Sequence, residues 1–339
     1  MATITASWTK LSTASQLQRS SHSVSAVNST LHIFGGELKP REPRDNDLHI
    51  VPLAHGQDVS ISSLPGADTT PTARVGTAST VIDDKIYLFS GRGGPAMAPV
   101  DESGSLWIFD TKSQSWSNVK PKSSAYPEAR SYHAMTSDGT SKVYLHAGCP
   151  ESGRRNDFWS FDVASSEWKE LPSAPGPARG GTSIAFAESK VWRMNGFDGE
   201  KEVGGSLDFF DPQTGKWDTK TFFADGKSGP GARSVGALVP VKVQGQTWLI
   251  TLFGERDPSS EGHLGAGKML GDVWAYDLEG GKWAQVLAMS TSGEAPAARG
   301  WFDADVVEFG GKDAVAVTSG LGEENNRLDD LWVLTFDDE

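Results

Sequence analysis

Apolar residues along this chain come in short runs, and the runs recur. Six of them end in glycine: "LHIFGG", "IYLFSG", "VYLHAG", "VWRMNG", "LITLFG" and "AVAVTSG". Runs of that length, bounded by glycine and polar loops, predict strands rather than helices. Each is followed, after a loop, by a second run: "DLHIVPL", "SLWIFD", "DFWSFD", "SLDFFD", "DVWAYD" and "DLWVLTFD". In four units an aspartate precedes a tryptophan by six residues: Asp110 and Trp116, Asp162 and Trp168, Asp211 and Trp217, Asp277 and Trp283. Aspartate heading a short polar stretch predicts a tight turn. The indole then marks a further strand beyond the turn.

An arginine stands ahead of each unit, at positions 19, 74, 130, 179, 233 and 299, with spacings of 55, 56, 49, 54 and 66 residues. Such periodicity indicates one small unit built six times, and its length is close to the kelch period. A four-stranded sheet with two apolar faces cannot bury both alone, so neighbouring sheets sandwich one another. The expected fold is all-β: a six-bladed kelch β-propeller forming one domain over residues 1–339. Its blades fall near 19–66, 74–120, 130–172, 179–222, 233–287 and 299–339. The last unit stops after its third strand, and the N-terminus supplies an orphan strand, "ASWTKL". Trp8 matches the tryptophan missing from the last unit, so residues 5–11 are expected to complete that blade and close the ring. The first unit is the odd one, since "QDVSISSLPG" alternates like a strand but has no tryptophan.

The repeated arginines admit two readings. Each either begins a strand and bonds neighbouring carbonyls, or contributes to a ring of positive charge at a channel mouth. Repetition in every unit favours the structural reading.

Charge and cysteine content narrow the function. The net charge is −13, which argues against a large nucleic-acid footprint and against an anionic membrane surface. A local basic cleft stays compatible with an acidic whole. One cysteine, Cys149, allows no disulfide framework within the chain, as in a reducing compartment. No stretch approaches the roughly 20 apolar residues of a membrane span, and none resembles a signal peptide. A cytoplasmic location is expected.

Non-repeated residues next to the repeat landmarks suggest a binding site. Arg92 follows a strand in "SGRGG". Tyr132 and Trp301 each lie two residues after a repeat arginine. Arg154 and Arg155 occur in "CPESGRRNDFW". If the units align, these residues gather at one mouth and suit a small anionic, partly apolar organic molecule.

The segment "GERDPSSEGHLGAGKML" after the fifth glycine carries the other candidate chemistry. Its G-x-x-x-x-G-K ends in Met269, not Ser or Thr, and leads into a strand, so it is no phosphate loop. Asp257, Ser259, Glu261 and Gly262 imitate the start of a calcium loop, but the twelfth position is Lys268. Glu255, Asp257, Glu261 and His263 are oxygen and nitrogen donors suited to ferrous iron or zinc. A solvated acidic loop with a lone histidine is the plainer alternative.

The repeat together with this loop and the "RGW" motif resembles the plant specifier proteins: nitrile-specifier, epithiospecifier and thiocyanate-forming proteins. The resemblance implies a kelch propeller that binds Fe2+ and acts on thiohydroximate-O-sulfates released from glucosinolates by myrosinase. It implies iron ligands in an E-x-x-x-D-x-x-x-H pattern. Glu255 and His263 match its outer positions, Ser259 stands where the family has Asp, and Asp257 or Glu261 is a substitute donor nearby. It also implies that Arg92, Arg154 or Arg155, Tyr132 and Trp301 form sulfate-binding and aromatic walls. The alternative is a non-catalytic kelch module that binds a protein partner. A copper-radical oxidase of the kelch kind is disfavoured by the single Cys149 and by scattered histidines.

Overall fold

The computed structural model describes residues 4–291 and 293–337, and these form an almost entirely β structure. Six sheets have four or more strands, and five of them follow chain order from their first strand outward. The third is representative: Ala134–Ser137, Lys142–Gly148, Arg155–Asp162 and Glu167–Leu171 pair in succession, all antiparallel. The sixth contains Asp303–Phe309, Lys312–Thr318 and Asp330–Phe336, and then Thr5–Thr13 from the start of the chain. Outside that strand lies Leu287–Ser290, paired parallel to it. In the first sheet the outermost strand is only Ser62–Leu64.

The Asp-to-Trp segments form hairpin turns for an identifiable reason. Asp110, Asp162, Asp211 and Asp277 each use Oδ1 to accept hydrogen bonds from the backbone N–H groups two and three residues on. The turn therefore carries its own acceptor, and the tryptophan returns one pleat later to pack on the sheet. Between consecutive sheets lie apolar clusters. Phe34 and Ile50 meet Ile86 and Phe109, and Phe89 meets Trp159 and Trp168. A further cluster joins the last sheet, through Val307 and Val333, to the first, through Val24 and Ile33. Trp8 is buried and stacks on Phe253 at 5.7 Å.

The six repeat arginines are fully buried, which excludes a ring of free charge. Each Nη1 donates to the carbonyl next to the end of the second strand: Gly35, Ser90, Ala147, Asn195, Phe253 and Ser319, at 2.6–3.1 Å. Five of them also pair with a carboxylate: Asp45, Glu102, Asp157, Asp272 or Asp330. Four of these acids accept an indole N–H as well, from Trp107, Trp159, Trp274 or Trp332. Arg179 is the exception. Burial and the neighbouring Arg193 guanidinium push it down to about 9, and Asp208 is taken up by Arg193.

Two residues beyond each arginine the chain takes a left-handed conformation. Ser21, Gly76, Tyr132, Gly181, Val235 and Trp301 have φ of 47° to 61°. Their backbones are linked to one another. Each N–H donates to the carbonyl of the matching residue in the preceding unit: Gly76 to Ser21, Tyr132 to Gly76, Gly181 to Tyr132, Val235 to Gly181 and Trp301 to Val235. Ser21 donates to Trp301 at 2.7 Å, so the six bonds make a cycle. Below it, Asp303 and Asp305 accept hydrogen bonds from Val24 and Ala26, each at 2.7 Å, between the last sheet and the first. Among the described residues, no helix is long and apolar enough to cross a membrane.

Two measurements check these supports. Arg233→Ala leaves the partly buried Asp272 without its cation and the Phe253 carbonyl without its donor, and is expected to cost about 3 kcal/mol in urea unfolding. A loss no larger than that of an ordinary surface substitution would refute the role. Burial pushes Asp303 up to about 7 and Asp305 up to about 6. Their contribution to stability is therefore full below about pH 4 and is lost as pH rises through about 7. The melting temperature of Asp303→Asn should gain on wild type across that interval, and parallel pH profiles would contradict this.

Candidate functional site

A cavity of about 360 Å³ opens above the hydrogen-bond cycle. The glycine that ends the second strand of each unit builds its wall. Gly36, Gly91, Gly148, Gly196, Gly254 and Gly320 have φ of 89° to 110°, a conformation disfavoured for residues with side chains. The turn they make aims the following residue inward. Those residues are Glu37, Arg92, Cys149, Phe197, Glu255 and Leu321, and all six line the cavity. Tyr132, Val235 and Trp301 form part of its floor.

Arg92 is held by neutral groups: Ser131 Oγ at 3.1 Å and the carbonyls of Met97 and Pro150 at 3.2 and 2.9 Å. Its charge is positioned without being neutralised. Arg154 also lines the cavity and lies 4.9 Å over the Phe197 ring. Neither guanidinium has a carboxylate ion pair among the described residues. Tyr132 meets Trp301 edge to face at 5.1 Å. Burial raises the Tyr132 phenol above its usual range, so it is a neutral hydroxyl at physiological pH.

Trp301 Nε1 donates to Glu255 Oε2 at 3.1 Å, and the Gly267 N–H donates to Oε1 at 2.6 Å. Burial pushes the Glu255 carboxyl up, these two bonds oppose that, and the like charge of Glu202 adds to it. Glu202 lines the same cavity, and its Oε1 is buried with no hydrogen-bond partner among the described residues. Burial raises its carboxyl too.

The remaining sequence candidates are distributed unevenly. Ser259 lines the cavity, and its Oγ accepts from the Glu261 N–H at 3.1 Å. Asp257 does not: its side chain is 78% exposed and lies 3.6 Å from Arg256. The structure also separates Arg154 from Arg155. Arg155 begins a strand, so its side chain alternates away from the cavity and pairs with Glu128 on the surface. His263 sits in the short turn Gly262–Leu264, between cavity-lining Gly262 and Gly265, and its side chain lies outside the described residues. Among the described residues no three metal-ligating side chains converge.

Sequence reasoning missed Glu37, Cys149, Phe197, Glu202 and Leu321. Arg327 was missed as well; it pairs with Glu37 at 2.7 Å beside the cavity. The signal for four of these was present: Glu37, Cys149, Phe197 and Leu321 each follow a strand-ending glycine.

Repeated four-stranded sheets with a pocket on their inner ends define a kelch-repeat β-propeller. The chain belongs to the KLHDC2/KLHL20/DRC7 Kelch-repeats domain family, whose model matches residues 21–254. It is 28% identical to N-(sulfonatooxy)prop-2-enimidothioate sulfolyase of Thlaspi arvense, over 93% of this chain and 91% of that protein. It is 32% identical to Tip elongation aberrant protein 1 of Schizosaccharomyces pombe over 58% of this chain, and 24% identical to the Leucine-zipper-like transcriptional regulator 1 homolog of Drosophila melanogaster over 98%. The matches span only 18% and 33% of those two longer proteins. The solved structure of YjhT superposes with a TM-score of 0.71 at 15% identity, over 97% of this chain and 99% of that one, and supports the fold.

The two arginines make separable predictions. Arg154→Ala removes no hydrogen bond that holds the fold, so its stability should stay within about 0.5 kcal/mol of wild type. Sulfate should raise the melting temperature of wild type but not of this variant. Arg92→Ala should lose sulfate protection and also about 1–3 kcal/mol of stability, because it leaves buried carbonyls unpaired. Equal sulfate protection in all three proteins would refute the anion site.

Proposed function

We propose that this chain is a small-molecule enzyme of the specifier kind, acting on an anionic substrate that carries a sulfate ester. The observation that carries the reading is the joint presence, in one cavity of about 360 Å³, of Arg92, Arg154, the Tyr132–Trp301 pair and Glu255. Such a volume suits a small molecule. The similarity to a sulfolyase over most of both chains supports the same reading. The scaffold we infer is a single ring of six blades, with boundaries near those expected from the repeat and closed by Thr5–Thr13. The hydrogen-bond cycle and the cluster between last and first sheets favour it.

In this reading Arg92 and Arg154 clamp the sulfate oxygens, where charge develops as the ester bond to sulfate breaks. Tyr132, Trp301 and Phe197 hold the apolar part of the substrate. Glu255, fixed by Gly267 and Trp301, has an orphaned carboxylate oxygen of Glu202 as its neighbour in the cavity wall. Two carboxylates lining one cavity suit a divalent cation, and Ser259, in the same lining, is a weaker neutral donor. We propose Fe2+ held by Glu255, Glu202 and His263, with no role for the exposed Asp257. When bound, the ion supplies Lewis acidity toward a substrate heteroatom.

Anaerobic metal analysis after loading with ferrous iron tests this. Wild type should retain about one iron per chain, and Glu255→Ala, Glu202→Ala and His263→Ala should retain less than about a tenth of that. Wild type without stoichiometric iron would overturn the metal assignment. Glucosinolate with myrosinase and the iron-loaded protein should then yield products other than isothiocyanate; isothiocyanate alone would count against this substrate class.

A protein-binding role is the second reading. Exposed apolar side chains favour it, with Phe223 79% and Leu264 61% accessible. The kelch relatives in longer, differently named proteins are consistent with it.

A further inference from the structure

The hydrogen-bond cycle lies between two cavities. Beyond the floor of the arginine-bearing pocket is a second space, also of about 360 Å³, running along the inner strands. Tyr132, Gly181, Val235 and Trp301 line both. The two spaces differ in character. Phe197, Leu321 and Met97 give the first an apolar wall, whereas the second is lined by hydroxyls such as Ser79, Thr136 and Ser183 and by Asp303 and Asp305.

Six glycines would form the same cycle without strain, because a left-handed backbone favours glycine. Three positions instead carry large side chains, and Val235, being β-branched, is the least suited to φ 47°. The small positions make room for the large ones. A Cβ on Gly76 would lie 2.8 Å from Tyr132 Cε1, and a Cβ on Gly181 would lie 2.8 Å from Val235 Cγ1. Tyr132 reaches from the third unit over Gly76 of the second, and its hydroxyl lies near the Ser21 side chain of the first. Its ring edge closes on Trp301 of the sixth. These contacts cross the middle of the cycle.

We infer that Tyr132, Val235 and Trp301 are a septum that seals the floor of the arginine-bearing pocket and sets the longest apolar tail its anionic ligand can carry. The tail-length claim rests on the anion-pocket reading above; the septum itself does not. Without these side chains the two spaces would join into one passage.

A series of alkyl sulfates from methyl to decyl, titrated calorimetrically into wild type, Tyr132→Gly and Val235→Gly, tests the claim. Glycine retains the left-handed backbone, and thermal melting verifies the fold of each variant. Wild-type affinity should rise with tail length and then fall by about tenfold or more once the pocket is full. Both variants should move that fall to longer tails. A fall at the same length in all three proteins would overturn the inference. Crystal structures of the variants provide an independent test: one continuous passage supports the septum, and two separate cavities refute it. If even methyl sulfate fails to bind wild type, the anion reading and its tail limit fail together, while the crystallographic result still decides the septum.

Discussion

Six backbone hydrogen bonds, each from a left-handed residue to its counterpart one repeat earlier, hold the inner ends of the sheets in mutual register. An innermost strand of a sheet has an unpaired edge, and that edge must find partners. Here it finds them in the next repeat. The cycle supplies one bond per repeat, and side chains supply others lower down: Ser25 with Ser79, Ser183 with the Gly236 carbonyl, Asp303 with the Val24 N–H. Because the arginine two residues earlier is tied to its own second strand, the position of the cycle fixes where that strand ends. The wall of the pocket follows from that.

The arginine units show how a charged group becomes a structural part. A buried guanidinium is tolerable when every donor has a partner and a carboxylate offsets its charge. Five of the six repeats meet this with an acid, and in four a tryptophan N–H orients that acid. The fourth repeat departs from it. Arg179 donates to the Asn195 and Pro177 carbonyls, and the local acid serves Arg193 instead. The same residue type at Arg92 is held by carbonyls and a hydroxyl, with no carboxylate ion pair among the described residues.

Strands and turns were readable from the chain because their causes are local. Asp110 makes its turn with its own side chain, and Gly91 is needed where it stands because of a backbone angle. The pocket was only partly readable because its causes are relational. Arg92, Tyr132 and Trp301 could be named from their distance to a repeat landmark, and the structure brings them to one cavity. Glu37, Cys149, Phe197 and Leu321 occupy the same offset as Arg92 and Glu255 but have no chemistry common to the set. Their shared place after a strand-ending glycine is legible in the sequence, but only the inward aim of the glycine turn makes it a pocket wall. Arg154 and Arg155 are adjacent in sequence, and only the onset of a strand at Arg155 separates their destinations. Glu202 comes from a different repeat than Glu255, and no local pattern links the two.

The pairing of Thr5–Thr13 with Asp330–Phe336 also bears on how the molecule is made. Ser7 and Thr335 touch although 328 residues separate them in the chain. The strand Thr5–Thr13 therefore leaves the ribosome long before the strand it pairs with antiparallel. Intervening sheets can assemble from neighbours close in sequence, a fast process, whereas this pairing has the highest loop-closure cost in the molecule. Biosynthesis thus leaves the strand bearing Trp8 with only Leu287–Ser290 and Phe253 to dock against until that partner arrives. During that interval the strand edge that will pair with Asp330–Phe336 stays open, and an open edge is a site for wrong pairing.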